Sequence, residues 1–250
     1  MSFTRRSFLK GLAACPLCAQ AAMADSSVHW TYEGHGGPGE WGQLAGDFKT
    51  CQVGSQQSPI DLDSSVATEL HPVVPAWKPQ MFKVINNGHT IQADAPAAAS
   101  SLTLGDTRYE LRQFHFHAPS EHALGGQRTA MEAHFVHAAP TGGLAVIGVF
   151  MTAGKKNDAF ATVMAAAPKA EGATMLKDAM DISAFLPADR SLYRYEGSLT
   201  TPPCSEVVDW NVFAKSIEVA QADIDTFRAI FPMNARPLQA VNRRFILRLN

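Results

Sequence analysis

From Leu70 to Val149 the sequence runs in short apolar–polar alternations broken by glycine, asparagine and aspartate, with few helical stretches between them. Side chains two apart share one face of a strand, so a stretch of this kind buries its apolar half as part of a sheet. FKVINNGHTIQAD, from Phe82, reads as two short strands about an Asn87-Gly88 turn, the strongest short hairpin signal a sequence offers. SSLTLGDTRYELRQFHFH supplies two more strands by alternation. TAMEAHFVHAA and GLAVIGVFMTA are also strand-like, the second nearly continuous in apolar residues, as a central buried strand is. QQSPIDL, from Gln56, reads as a turn running into a short strand, and HWTYEGHGGPGEWGQL as an irregular arm pinned by Trp30, Tyr32 and Trp41. Helices are expected at NDAFATVMAAAP, which has an Asn or Asp cap and a proline stop, and at AQADIDTFRAIF. No repeat or linker divides the chain. The expectation is one mainly-β (α+β) domain with short peripheral helices.

The first 24 residues are a separate object. TRRSFLK is followed by the mildly apolar GLAACPLCAQAAMA, with a small-x-small ending at Ala22-Met23-Ala24. This resembles a twin-arginine export signal cut after Ala24, leaving residues 25–250 as the domain in a periplasmic location. LAAC also looks like a lipoprotein cleavage box, but cutting there leaves too short an apolar region for such a signal. Removing Arg5, Arg6 and Lys10, with no acidic residue, takes the formal net charge from −2 to −5. No apolar stretch of membrane-spanning length follows, and no Lys/Arg cluster interrupts the domain, which argues against nucleic acid as a partner. The exported chain keeps Cys51 and Cys204, an even pair in an oxidising compartment. A disulfide is the default reading, and two buried free thiols the alternative.

Strand alternation places Gln113, His115 and His117 on one face, with Phe114 and Phe116 on the other. Glu132, His134 and Val136 likewise share a face. If the two strands pair antiparallel, His134 approaches His115 and His117. Three neutral imidazoles with a fourth position open to water make a catalytic zinc arrangement, whereas a structural site closes all four. Gln113 and Glu132, each two residues before a histidine, can accept the free ring N–H of a ligand. His-x-His also occurs by chance on strand faces, so the pattern alone reaches no further than a zinc hydrolase or hydratase.

QFHFHAPSEH, MEAHFVH, NNGH, QSPIDL, GLAVIGVF and GSLTTPPCSEVVDW together resemble an α-class carbonic anhydrase of the exported bacterial type, from about His29 to Arg243. The resemblance implies a large, twisted, mostly antiparallel sheet of about ten strands with Zn2+ at the foot of a conical cleft. It implies reversible hydration of carbon dioxide to bicarbonate and a proton through zinc-bound hydroxide, with inhibition by sulfonamides and small anions. It assigns the ligands to His115, His117 and His134, with Gln113, Glu132 and the backbone carbonyl of Asn234 behind them. Thr200 would donate a hydrogen bond to Glu121, and His89 would be the proton shuttle. Val136, Val146, Leu199, Val208 and Trp210 would form the substrate pocket. Tyr32, Asn87, Gln92 and Thr201 would line the cleft and its water path, and Cys51 would pair with Cys204. On sequence alone His89 is an exposed turn histidine and Glu121 a solvated loop acid. His29, His35, His71, His122 and His137 are auxiliary shuttles or bland residues, with bland preferred. A catalytically silent binding module on the same fold and a zinc esterase are the competing functions, and a homodimer is left open.

Overall fold

The structure, a computed structural model, describes residues 28–69, 73 and 75–249. The expected export signal and His71 lie outside the described residues. Twelve strands form one sheet. They are β1 (Ser65–Thr68), β2 (Lys83–Asn86), β3 (Ile91–Asp94), β4 (Ser101–Leu104), β5 (Thr107–His117) and β6 (Met131–Ala138), followed by β7 (Leu144–Ala153), β8 (Gly172–Met175), β9 (Leu192–Gly197), β10 (Val208–Phe213), β11 (Ile217–Val219) and β12 (Ile246–Leu249). Ten of them follow one path, β1-β12-β9-β10-β7-β6-β5-β3-β2-β8, while β11 pairs with β7 and β4 with β5. The parallel pairs are β1 with β12, β10 with β7 and β11 with β7, and the others are antiparallel. The helices are short: α1 (Trp41–Leu44), α2 (Thr50–Val53), α3 (Asp158–Ala166) and α4 (Gln221–Ile230). This is the mainly-β domain read from the alternation, with the mostly antiparallel sheet that the resemblance implied. Among the described residues no helix is long and apolar enough to cross a membrane.

QQSPIDL reads as a turn running into a short strand, and the strand, β1, begins only at Ser65, beyond the segment. Within the segment pairing is limited to a single bridge between Asp61 and Ala123. Pro59 has no N–H to give a ladder. The backbone around it is shared between two segments, Leu62 N–H donating to Ala123 O while Pro59 O accepts from Gln239 N–H.

The two faces of the sheet do different things. Phe114, Phe116 and Phe135 are fully buried on one face, packed with Phe82, Phe160, Phe185 and Phe227. Helices α3 and α4 supply Phe160 and Phe227, and the Asn157 side chain caps α3 by accepting from Phe160 N–H. Each such phenylalanine contributes about 1.5–3 kcal/mol of burial. This clamps β5 and β6 so that their opposite face is held rigidly.

The N-terminal arm closes one end. Trp30, Trp41 and Phe48 pack with Cys51 and Cys204, which form a disulfide with Cα atoms 5.0 Å apart. The bond closes a sequence separation of 153 residues. Chain-entropy reasoning for a loop of that size gives about 5 kcal/mol as an upper expectation.

Candidate metal centre and its cleft

Strands β5 and β6 pair antiparallel with His115 directly opposite His134 and His117 opposite Glu132. An irregularity between Leu111 and Gln113 sets that register, and the histidine face stays continuous beyond it. One nitrogen of each of His115, His117 and His134 lies within 4.8 Å of the others. His117 and His134 are buried, and His115 is partly open to the cleft.

The far nitrogens of two of the rings are hydrogen-bonded, and that of the third lies beside a carboxylate. Nδ1 of His115 donates to Oε1 of Gln113 at 2.8 Å, and Nδ1 of His117 donates to the backbone carbonyl of Asn234 at 2.7 Å. Nε2 of His134 lies 3.0 Å from Oε1 of Glu132, close but off-line for a strong hydrogen bond. The tautomers that follow leave Nε2 of His115 and Nε2 of His117 with free lone pairs. Nε2 of His117 is buried without any hydrogen-bond partner. Such an orphan costs free energy unless something binds it. Burial, with the like charges of the neighbouring histidines, holds His115 well below the ordinary imidazole pKa, and burial lowers His117 despite the Glu121 charge. Neutral imidazoles are the form that ligates a metal. The residues fit a borderline-soft divalent cation with three nitrogen donors and an open position.

The Glu132 carboxylate is the hub beneath the triad. Its Oε2 accepts from the N–H groups of Glu121 and His122, both at 2.9 Å, and its Oε1 faces Nδ1 of His122 at 2.8 Å. Burial alone would raise its pKa, but the charges and hydrogen bonds of His122 and His134 pull it well below the ordinary value. Space for this carboxylate comes from Gly148, paired with His134 across β6 and β7: a Cβ there would sit 2.9 Å from Oε1.

Glu121 itself is fully buried. Its Oε1 accepts from Arg236 N–H at 2.8 Å. The resemblance led us to expect a bond from the Thr200 hydroxyl to this carboxylate, and the structure forms none: Oε2 has no hydrogen-bond partner. That oxygen lies 3.5 Å from Nε2 of His117 and 3.8 Å from Nδ1 of His134, the two nitrogens that face the triad's centre. Thr200 is buried nearby on the loop after β9, which is closed by Leu199 N–H to Ser205 O and Cys204 N–H to Thr201 O. Thr201 is half-buried on the same loop.

Val136, Val146, Val208 and Trp210 belong to one buried apolar cluster with Leu199 packed against it, and the Trp210 and His134 ring centroids are 4.8 Å apart. Gln92 on β3 is paired with His115, and its amide carbonyl accepts from Asn87 at 3.4 Å. Tyr32 is half-buried in the arm, edge-on to Trp30. Burial and the Glu121 charge hold its phenol well above the ordinary value. His89 departs from an exposed turn residue. It is half-buried, its ring stacked on Trp30 at 3.7 Å with planes 7° apart.

Residues 36–249 match the family model for eukaryotic-type carbonic anhydrases. A carbonic anhydrase of Neisseria gonorrhoeae is 39% identical over 237 residues, covering 94% of each chain. Another, from Klebsiella pneumoniae, is 40% identical, covering 88% of this chain and 90% of its own. The solved α-carbonic anhydrase of Thermovibrio ammonificans, in complex with the inhibitor sulfanilamide, superposes with a TM-score of 0.85 at 40% identity, covering 88% of this chain and 99% of that one.

The chain belongs to the α-class carbonic anhydrase family.

Some of what this carbonic anhydrase uses escaped the sequence. His122, read as bland, is fully buried under the triad, bonded to Glu132 and 2.6 Å from the Tyr195 hydroxyl, which is 3.0 Å from Oγ of Ser58. Three distant segments meet there, and no local period could have joined them. Arg236 gave no signal at all. Its buried guanidinium donates to the carbonyls of Ser58 and Cys51 and to Gln57, over the Trp41 ring. His137 is buried on the core side, with Nε2 accepting from Trp77 and Nδ1 donating to Phe135 O. His35 pairs with Glu40 at the surface, and His29 is exposed on the arm.

Proposed function

We propose that this carbonic anhydrase is a zinc enzyme in which His115, His117 and His134 hold the ion, carbon dioxide is the substrate, and His89 exports the proton. The observation that carries the reading is the convergence of three imidazoles, one nitrogen of each within 4.8 Å of the others, with the far nitrogens of His115 and His117 hydrogen-bonded and that of His134 beside the Glu132 carboxylate. Bound zinc supplies Lewis acidity, making a strong nucleophile from water near neutral pH.

The chain's own residues do the rest. Gln113, the Asn234 carbonyl and Glu132 fix the tautomers and raise ligand basicity. Val136, Val146, Leu199, Val208 and Trp210 offer an apolar wall to a substrate that has neither charge nor a strong hydrogen-bonding group. Thr200 and Glu121 are the buried polar groups assigned to orient the attacking oxygen. An imidazole can take up a proton and pass it to buffer, and His89 lines a groove together with Trp30, Tyr32 and Asn234. Asn87, Gln92, Tyr32 and Thr201 line the water path. Sulfonamides and small anions are the expected inhibitors at the same centre. The disulfide supports an exported, periplasmic location, since such bonds persist in oxidising compartments.

The test is stopped-flow hydration of carbon dioxide with metal content measured on the same sample. One zinc per chain, fast hydration and its loss with a sulfonamide are expected. His115→Ala should remove both metal and nearly all activity. Zinc bound without hydration would overturn the reading in favour of a silent binding module.

A further inference from the structure

Two elements bring charged groups to the turn that carries His89 and to the groove it lines. On one side the arm places Trp30 flat against its ring and His29, Tyr32 and Glu33 around a groove of about 260 Å³ that His89 also lines. On the other side β8 pairs antiparallel with β2, Gly172 opposite Asn86, which carries the residue before it to the Asn87-Gly88 turn. That residue is Glu171. A Cβ built on Gly88 would meet Oε1 of Glu171 at 2.9 Å and its carboxyl carbon at 3.4 Å, so the carboxylate rests on the backbone immediately before His89. Gly88 has φ +85, so its conformation as well as its bareness admits the contact. The segment after α4 contributes only uncharged neighbours to the groove, Phe231, Met233 and Asn234.

We propose that Glu171 is a positioning residue for proton export: its carboxylate, seated on Gly88 at the turn that presents His89, acts on the His89 ring that is stacked on Trp30. This rests on the reading of His89 as the proton exporter. Burial is the largest influence on the imidazole and lowers its pKa, His29 lowers it further, and Glu171 acts the other way. A proton arriving from the cleft forms an N–H bond on the His89 ring and leaves from the ring to a buffer base. Glu171 neither takes nor gives it. Glu171 is exposed, so removing its charge leaves the core untouched.

The test is an NMR titration of the His89 imidazole in the full zinc-loaded chain, comparing wild type with Glu171→Gln and His29→Gln. The midpoint is expected to fall in Glu171→Gln and to rise in His29→Gln, with both displacements shrinking at high salt. Hydration by Glu171→Gln in dilute buffer is expected to drop by about twofold near neutral pH with KM unchanged, and to recover with added imidazole. A midpoint unmoved by Glu171→Gln overturns the role outright. A midpoint that moves as expected while His89→Ala hydrates at the wild-type rate in dilute buffer overturns the proton-export reading instead, and the role with it.

Discussion

The backbone carbonyl of Asn234 accepts a 2.7 Å hydrogen bond from Nδ1 of His117. The Asn234 side chain keeps that carbonyl aimed. Its Oδ1 accepts from Ala118 N–H at 2.8 Å, and its Nδ2 donates to the carbonyls of Phe116 and His89, each at 3.0 Å. Asn234→Ala retains the carbonyl but strips three hydrogen bonds, two of them buried, so a destabilisation of about 2–4 kcal/mol is expected. Metal affinity should fall roughly 10–100-fold, as it does when groups supporting a ligand are lost. Urea unfolding and competition with a chelator measure the two. Unchanged affinity would mean that the backbone alone aims the carbonyl.

Gly148→Ala tests the space kept for Glu132. The new Cβ would meet Oε1 of Glu132 at 2.9 Å and a Val212 methyl at 3.1 Å. Overpacking of this kind costs about 1–3 kcal/mol. Because the displaced atom is the one facing His134, weaker metal binding should accompany the lower stability. Loss of stability alone, with normal metal affinity, would show that Val212 yields and Glu132 does not.

Reducing the disulfide should act on the cleft as well as on stability. Cys204 belongs to the loop of Thr200, and Gln57 bonds its carbonyl at 3.1 Å. Cys51 lends its carbonyl to Arg236, whose own N–H holds Glu121. Replacing both cysteines by serine is expected to cost about 3–5 kcal/mol in denaturant unfolding. Hydration should fall under conditions where the chain is still folded. Full activity with both thiols reduced would separate the bond from the cleft.

His137 makes stability depend on pH. Burial lowers its pKa from 6.5 to about 4. Below about 6.5 the unfolded chain therefore binds a proton that the folded chain refuses. The contribution of the neutral ring is complete above that pH and drains away as pH falls toward about 4, by at most about 3 kcal/mol. His137→Gln retains an acceptor for Trp77 but does not titrate. Its unfolding free energy should change less than that of wild type between pH 7 and pH 4.5. Parallel curves would contradict a neutral, buried imidazole.

The parts legible in the sequence are those governed by a short period or a turn. Alternation in Gln113 to His117 and in Glu132 to Val136 was enough to put the right residues on one face, and Asn87-Gly88 marked its hairpin. The Pro59 segment, read as a turn running into a strand, does not reach one before Ser65, because its backbone partners come from residues far along the chain. His122, Tyr195 and Arg236 were invisible for a related reason. Each gains its place from a contact more than seventy residues away, which leaves no trace in local spacing. Glu121 was called solvated when read alone, since nothing adjacent to it announces the buried N–H of Arg236.

The hairpin of β5 and β6 carries all three imidazoles, while their alignment depends on Asn234, 117 residues beyond His117. A local hairpin closes at small entropic cost and early, and a contact of that separation closes late. The imidazole face is thus the product of two neighbouring strands, and what the last part of the chain adds is the aim of the His117 ring.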